Sequence, residues 1–197
     1  VNHVPIEQVT KEMRYAAKTV NFGVLYGQGP RALAEQTGMT LPEAKDFIRK
    51  YFETFSAVRE YIEETKQLAH ELGYVETLTG RRRMIPELHS TMPMLRASGE
   101  RMAVNTPIQG TAADMIKIAM IRIAHRLHSA RTSAHVRAHD AHMLLQVHDE
   151  LVLEVRESSV KHIAKMVREE MESAMKLRVP IKVDAKFGNN WSEMKPV

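Results

Sequence analysis

Apolar residues in the first seventy positions recur three or four apart, the spacing of amphipathic helices, and glycine, proline and capping residues cut the stretch into four. Thr10 followed by Glu12 predicts a helix over 11–26, closed by Gly27, Gly29 and Pro30. A short helix over 31–36 stops at Gly38, Thr40 with Pro42 opens another to about 55, and Ser56 caps a fourth that ends at Gly73. The period then changes to two. Residues 74–78 and 81–85 flank Thr79-Gly80 and predict a hairpin with a basic second arm. Helical spacing returns over 94–127, but Pro107 lies inside it and predicts two tandem helices that meet near Thr106-Pro107. Residues 143–147 and 151–155 are β-rich and flank His148-Asp149-Glu150, a second hairpin with polar residues at its tip. A helix over 158–177 and a strand over 181–187 complete the pattern. The expected class is α+β: a helical first part, then part of an antiparallel sheet with packing helices.

Composition narrows the chemistry. The chain of 197 residues has no cysteine, which excludes a disulfide framework, a thiolate metal site and a cysteine nucleophile. No run of eighteen apolar residues occurs, and the start Val1-Asn2-His3-Val4-Pro5 has neither the basic nor the apolar region of a signal peptide, so a soluble cytoplasmic chain with no membrane partner is expected. A first residue that is not methionine reads as a piece of something longer or as a processed product. Lysine and arginine number 28 against 24 acidic residues, a mild bias toward polyanionic partners.

Two constellations carry chemistry. Arg14, Lys18 and Phe22 are spaced i, i+4, i+8 and fall within about 80° of one another on the first helix, with Tyr26 a further turn along. Two cations suit the oxygens of a triphosphate, and two aromatics suit a planar base or a sugar. The same stripe also fits a solvated basic helix with two core aromatics. At the second hairpin, Asp149 and Glu150 beside His148 offer oxygen ligands for Mg²⁺, although Asp-Glu is also ordinary turn chemistry.

Together these segments resemble a known pattern. Arg14-x3-Lys18-x7-Tyr26-Gly27 resembles the nucleotide-binding motif on the fingers of family A DNA polymerases, the bacterial DNA polymerase I type, and Val147-His148-Asp149-Glu150 resembles that family's palm carboxylate motif. Gly80-Arg81-Arg82-Arg83 and Asn105-x3-Gln109-Gly110-Thr111-Ala112-Ala113-Asp114 are similar to family segments, in the family's order. The resemblance covers essentially the whole chain. It implies residues 1–92 as a fingers subdomain with the basic hairpin, and 93–197 as the C-terminal palm portion with the His-Asp-Glu hairpin.

The implied activity is template-dependent addition of deoxynucleotides to a primer 3′-hydroxyl, with two Mg²⁺ ions in the complete enzyme, in DNA replication or repair. Arg14 and Lys18 would grip the triphosphate, with Lys18 placed to protonate the departing pyrophosphate. Phe22 would pack beside sugar and base and discriminate against nucleotides that lack the 3′-hydroxyl, and Tyr26 would stack near the template base. Asp149 would ligate metal with Glu150 in support, and His148 would approach the primer terminus. Asn105 and Gln109 would reach the minor groove, while Arg101, Arg81, Arg82 and Arg83 would touch phosphates. The implied partners are primer-template DNA, deoxynucleoside triphosphates and the rest of the same polymerase. The implied setting is bacterial or phage-like and nucleoid-associated, with an organelle the other option.

Three departures qualify this. The family's other metal-binding aspartate belongs to a motif expected upstream of residue 1, so the chain reads as a fragment that alone is inactive or weak and marginally stable. Residues 125–142 form a longer, histidine-rich segment with His125, His128, His135, His139 and His142, in which His135-x3-His139 has the spacing of a zinc pair. Tyr15 also stands where a basic residue is frequent in relatives. The competing readings are a non-catalytic DNA-binding fragment or accessory domain, and a single-subunit RNA polymerase, whose palm motif would carry serine where Glu150 stands.

Overall fold

The computed structural model describes residues 4–129 and 140–197. Its elements in chain order are α1 Lys11–Leu25, α2 Pro30–Thr37, α3 Leu41–Thr54, α4 Ser56–Leu72, β1 Tyr74–Glu76, β2 Arg82–Met84, α5 Pro93–Ser129, β3 Ala141–Val147, β4 Glu150–Val155, α6 Val160–Glu172, β5 Lys186–Phe187 and β6 Lys195–Pro196. The class is α+β. The strands form three separate antiparallel ribbons, β1-β2, β3-β4 and β5-β6. Among the described residues no helix is long and apolar enough to cross a membrane.

The chain divides into two compact units, Val1–Ile108 and Gln109–Val197, at a boundary inside α5. The 92/93 line drawn from sequence instead follows the change of motif.

In the first unit the helices start and stop on local chemistry. The Thr10 hydroxyl accepts from the Met13 N–H at 3.2 Å, and Thr40 with Glu43 forms a reciprocal capping box at the start of α3. The two Thr40 bonds hold the Glu43 carboxyl below its ordinary range. Ser56 is the first residue of α4 and makes no capping bond, because Phe55 occupies the cap position. Val20 and Val24 of α1, Leu33 of α2 and Ala44 of α3 share one buried cluster, edged by Phe47, Ile48, Tyr51 and Phe52. A second cluster joins Ala69 of α4, Val75 of β1, Ile85, Leu88 and Ala103 of α5.

The expected break at Pro107 is absent: α5 runs through it as one helix of 37 residues. A proline inside a helix leaves a carbonyl without its donor and crowds the preceding turn, at about 3 kcal/mol. The carbonyl that loses its donor is that of Ala103, and side-chain hydroxyls reach the carbonyls on either side of it. Thr106 Oγ1 donates to the Met102 carbonyl at 2.7 Å, and the half-buried Tyr61 donates from α4 to the Val104 carbonyl at 3.2 Å. Burial pushes the Tyr61 phenol above its usual value.

In the second unit, Ala119 and Ile123 of α5 pack with Ala174, edged by Met143 of β3, Leu151 and Leu153 of β4, and Val167 and Met171 of α6. Arg122 and Arg126 of α5 reach the Ser173 carbonyl at 2.8 Å and Glu170 at 2.9 Å. The helix expected over 158–177 is shorter: a 3-10 turn at Glu157–Ser159 leads into Val160–Glu172. The strand expected over 181–187 pairs only at Lys186–Phe187, and with Lys195–Pro196 rather than with the β3-β4 ribbon. Burial still alternates over 181–185, but the Val183 N–H bonds to the Glu172 carboxylate at 3.0 Å in place of a strand neighbour. The histidine-rich segment is helical as far as Ser129, so His125 and His128 belong to α5, and His142 lies in β3. The His135-His139 pair lies outside the described residues.

Asp140 fixes the foot of the β3-β4 ribbon. Its carboxylate is buried at 5% exposure and accepts from Arg156 Nε at 2.8 Å and Ser159 Oγ at 3.1 Å. Asp140→Ala removes both acceptors and leaves the Arg156 charge without its partner, so a loss of about 2 kcal/mol is expected in denaturant unfolding.

Candidate nucleotide and nucleic-acid site

The stripe on α1 is an ordered ladder. Arg14 and Lys18 are exposed, and Phe22 is 40% exposed, which removes the reading in which it belongs to the core. Lys18 Nζ lies 5.7 Å from the Phe22 ring centroid. The Phe22 and Tyr26 rings are stacked, with centroids 5.8 Å apart and 7° between planes. The helix therefore presents cations toward its N-terminal half and a double aromatic wall at its C-terminal end.

A Schellman motif holds that end. The Gln28 N–H bonds to the Gly23 carbonyl at 2.8 Å and the Gly27 N–H to the Val24 carbonyl at 3.2 Å, which fixes Tyr26 as the last turn closes. Gly27 has φ +84°, and a Cβ there would meet Arg101 Cγ at 3.0 Å. Gly27→Ala combines a left-handed conformation with this contact. An expected cost of about 1–2 kcal/mol follows from the conformation alone, measurable as a lower melting temperature.

Phe22, Gly23, Tyr26, Gly27, Gln28, Gly29, Ala32 and Arg101 line an open hollow of about 460 Å³. Of the residues expected from sequence, the hollow gathers Phe22, Tyr26 and Arg101. Gln28 and Ala32 were not anticipated; the glycine and proline run after Tyr26 marked a chain break there without saying what the turn would enclose.

Farther along α5, Asn105 Oδ1 is buried without a hydrogen-bond partner, an acceptor that ordinarily costs free energy unless a ligand or water serves it. The basic hairpin is more committed than its sequence suggests. Arg82 pairs with Glu76 across the ribbon at 2.7 Å and lies 4.7 Å from the Tyr74 ring, and the Glu76 bond raises its pKa further. Arg83 reaches Thr106 Oγ1 at 3.2 Å and Met102 Sδ at 3.1 Å. All three arginines remain exposed, and an exposed ion pair exchanges readily for a phosphate.

In the second unit, β3 and β4 pair from Ala141↔Val155 to Val147↔Glu150, with an irregularity between Met143 and Leu145. The turn consists of His148 and Asp149, with His148 at φ +55°. A two-residue hairpin favours a positive φ at this position, and histidine adopts it at a modest cost. Gln146 Nε2 ties the tip by donating to the His148 carbonyl at 2.9 Å. His148, Asp149 and Glu150 are all exposed, and Gln109 is exposed on α5.

Adjacent, exposed carboxylates suit a hard cation that takes one or two protein oxygens and completes its shell with water and phosphate. Among the described residues no three histidine, aspartate or glutamate side chains group to hold an ion. Two such oxygens are only part of a coordination shell, so a cation held at this tip would need further ligands from elsewhere.

Residues 1–193 match the sequence profile of DNA polymerase family A. The chain belongs to DNA polymerase family A. It is 48% identical over 187 residues to a thermostable DNA polymerase I of Thermus filiformis, covering 95% of this chain and 21% of that protein. It is 45% identical over 193 residues to DNA polymerase I of Geobacillus stearothermophilus, covering 98% of this chain and 21% of that protein. Among solved structures, the polymerase domain of Pol1 from M. smegmatis, in complex with DNA primer-template and dNTP, is similar with a TM-score of 0.83 at 40% identity, over 91% of this chain and 30% of that one. The family A chain thus spans about a fifth of the length of these curated relatives.

Proposed function

We propose that this chain is the fingers and C-terminal palm portion of a DNA-directed DNA polymerase, joining deoxynucleoside triphosphates to a primer 3′-hydroxyl. The observation that carries the reading is the ordered Lys18-Phe22-Tyr26 ladder beside an open hollow, in a chain of this family.

Arg14 and Lys18 bind the triphosphate oxygens, so the nucleotide lies along α1 with its base toward Phe22 and Tyr26. As the bond to the α-phosphate forms and the bridge to the β-phosphate breaks, negative charge builds on the pyrophosphate. Lys18 stabilises that charge and can give up a proton from Nζ to the leaving oxygen. Phe22 packs beside the sugar and Tyr26 stacks near the template base. Asn105 and Gln109 read the minor groove, where correct pairs place acceptors alike, by donating from their side-chain amide N–H groups. Arg101 and the Arg81-Arg82-Arg83 run bind phosphates without reading sequence, and His148 approaches the primer end.

Asp149, with Glu150 in support, would hold Mg²⁺ together with an aspartate supplied by the rest of the polymerase. Bound Mg²⁺ would lower the cost of charge on the attacking and leaving oxygens. The partners are primer-template DNA, deoxynucleotides and the remainder of the polymerase, and the setting is the nucleoid of a bacterium or of a phage-infected cell, in replication or repair.

Primer extension by the longer polymerase containing this chain tests the reading. Extension requires the template, all four deoxynucleotides and Mg²⁺, and stops on chelation. A protein that binds primer-template but never extends it in Mg²⁺ is a DNA-binding accessory instead.

A further inference from the structure

Gln28 has no part in the roles above, yet its side chain joins the ends of two helices. Its Nε2 donates to Gln36 Oε1 on the last turn of α2 at 2.8 Å. Its Oε1 lies over Gly23, where a Cβ would come within 1.8 Å of it, so the fold-back of Gln28 depends on glycine at that position. Its backbone N–H closes α1 on the Gly23 carbonyl. One residue therefore holds the last turn of α1 through its main chain and ties it to α2 through its amide.

The same side chain lines the hollow next to Phe22 and Tyr26. Movement of the α1-α2 corner would change the width of that hollow and the position of the Tyr26 ring. The Val20, Val24, Leu33 and Ala44 cluster joins α1 to α2 and α3 but has no directional preference. A hydrogen bond between two uncharged amides does have one, and in a partly exposed place it is weak enough to open and close.

We propose that Gln28 and Gln36 form a latch that sets the width of the hollow and so positions Tyr26 for selection of the incoming nucleotide. The proposal rests on the reading of α1 as the nucleotide-binding helix. Both are positioning residues: they act through the α1-α2 corner and take no part in the chemical step. With the latch closed, the aromatic wall is held ready for the base. With it open, Tyr26 samples more positions, which weakens nucleotide binding without slowing chemistry.

The test uses the longer polymerase that contains this chain. Gln28→Leu, Gln36→Leu and the double substitution are compared in single-turnover incorporation, with matched and mismatched deoxynucleotides titrated separately. Each single substitution is expected to raise the apparent dissociation constant for the matched nucleotide about three- to fivefold, the loss of one modest hydrogen bond. The maximum rate stays within about twofold and discrimination against the mismatch narrows. The double substitution is expected to equal a single one, because both break the same bond, and Gln36→Glu, which keeps the acceptor, retains the native nucleotide dependence. Unchanged nucleotide dependence in both singles, with a lower melting temperature, overturns the latch in favour of a structural role. A double whose effect is the product of the singles also overturns it. Arg14→Ala in the same series separates the two levels: if it leaves nucleotide dependence unaltered, the nucleotide reading of α1 fails; if only the glutamine variants are silent, the latch alone fails.

Discussion

Lys18→Ala in the longer polymerase is expected to lower kcat/KM for nucleotide incorporation by about a thousandfold, with most of the loss in the rate. The ammonium meets charge that grows on the pyrophosphate as the bond breaks, so its contribution is larger in the transition state than in the bound nucleotide. Its position is constrained: Nζ lies over the Phe22 ring, which in turn stacks on Tyr26. Lys18→Arg keeps the charge but is a poorer proton donor at neutral pH, so a smaller deficit is expected, and it should lie in the rate rather than in binding. Arg14→Ala, one turn earlier on the same face, is expected to raise KM more than it lowers kcat. Steady-state and single-turnover kinetics with one deoxynucleotide check all three.

Asp149→Asn is expected to lower the incorporation rate by about a thousandfold or more while leaving primer-template affinity nearly unchanged. The amide is close in size to the carboxylate, and at this exposed tip it preserves the turn, whose geometry depends on the His148 φ of +55° and the Gln146 bond rather than on the Asp149 side chain. What is lost is a negative oxygen ligand. Raising Mg²⁺ should recover part of the rate, because the substitution weakens ion binding. Glu150→Gln, at the first position of β4, is expected to cost about tenfold, since the residue supports the site rather than anchoring it. Incorporation rates across a Mg²⁺ titration, with DNA affinity measured in parallel, separate metal binding from folding.

The parts of this molecule that were legible in sequence are those set by local rules. The i, i+4 spacing of Arg14, Lys18 and Phe22 placed the ladder on one face because helix geometry leaves no other option, and the Thr10 and Thr40 caps fixed where α1 and α3 begin. The β3-β4 hairpin was legible because two short, mostly apolar runs flank a short polar turn. Features set by distant contacts were not. The hollow exists because Arg101 of α5 approaches Gly27, and neither residue signals the other in sequence. Pro107 read as a break because its local cost was visible, whereas contacts that α5 makes with other elements, such as the Tyr61 bond from α4 to the Val104 carbonyl, were not. The arginine run read as phosphate contacts, and its intramolecular partners were hidden because the cross-strand position of Glu76 and the approach of Thr106 depend on pairing and packing. The strand expected over 181–187 had the right alternation, but a strand also needs a neighbour, and Val183 finds a side chain instead.

In the proposed function the ladder on α1 and the carboxylate tip of β3-β4 serve one reaction, nucleotidyl transfer. Single-turnover incorporation of one deoxynucleotide by the longer polymerase, compared among the unsubstituted enzyme, Lys18→Ala and Asp149→Asn across nucleotide and Mg²⁺ titrations, tests that assignment most directly. The expected result is a collapse of the rate in both variants, with the Mg²⁺ dependence displaced only in Asp149→Asn and primer-template affinity retained in each. Incorporation within threefold of the unsubstituted rate in either variant would contradict it.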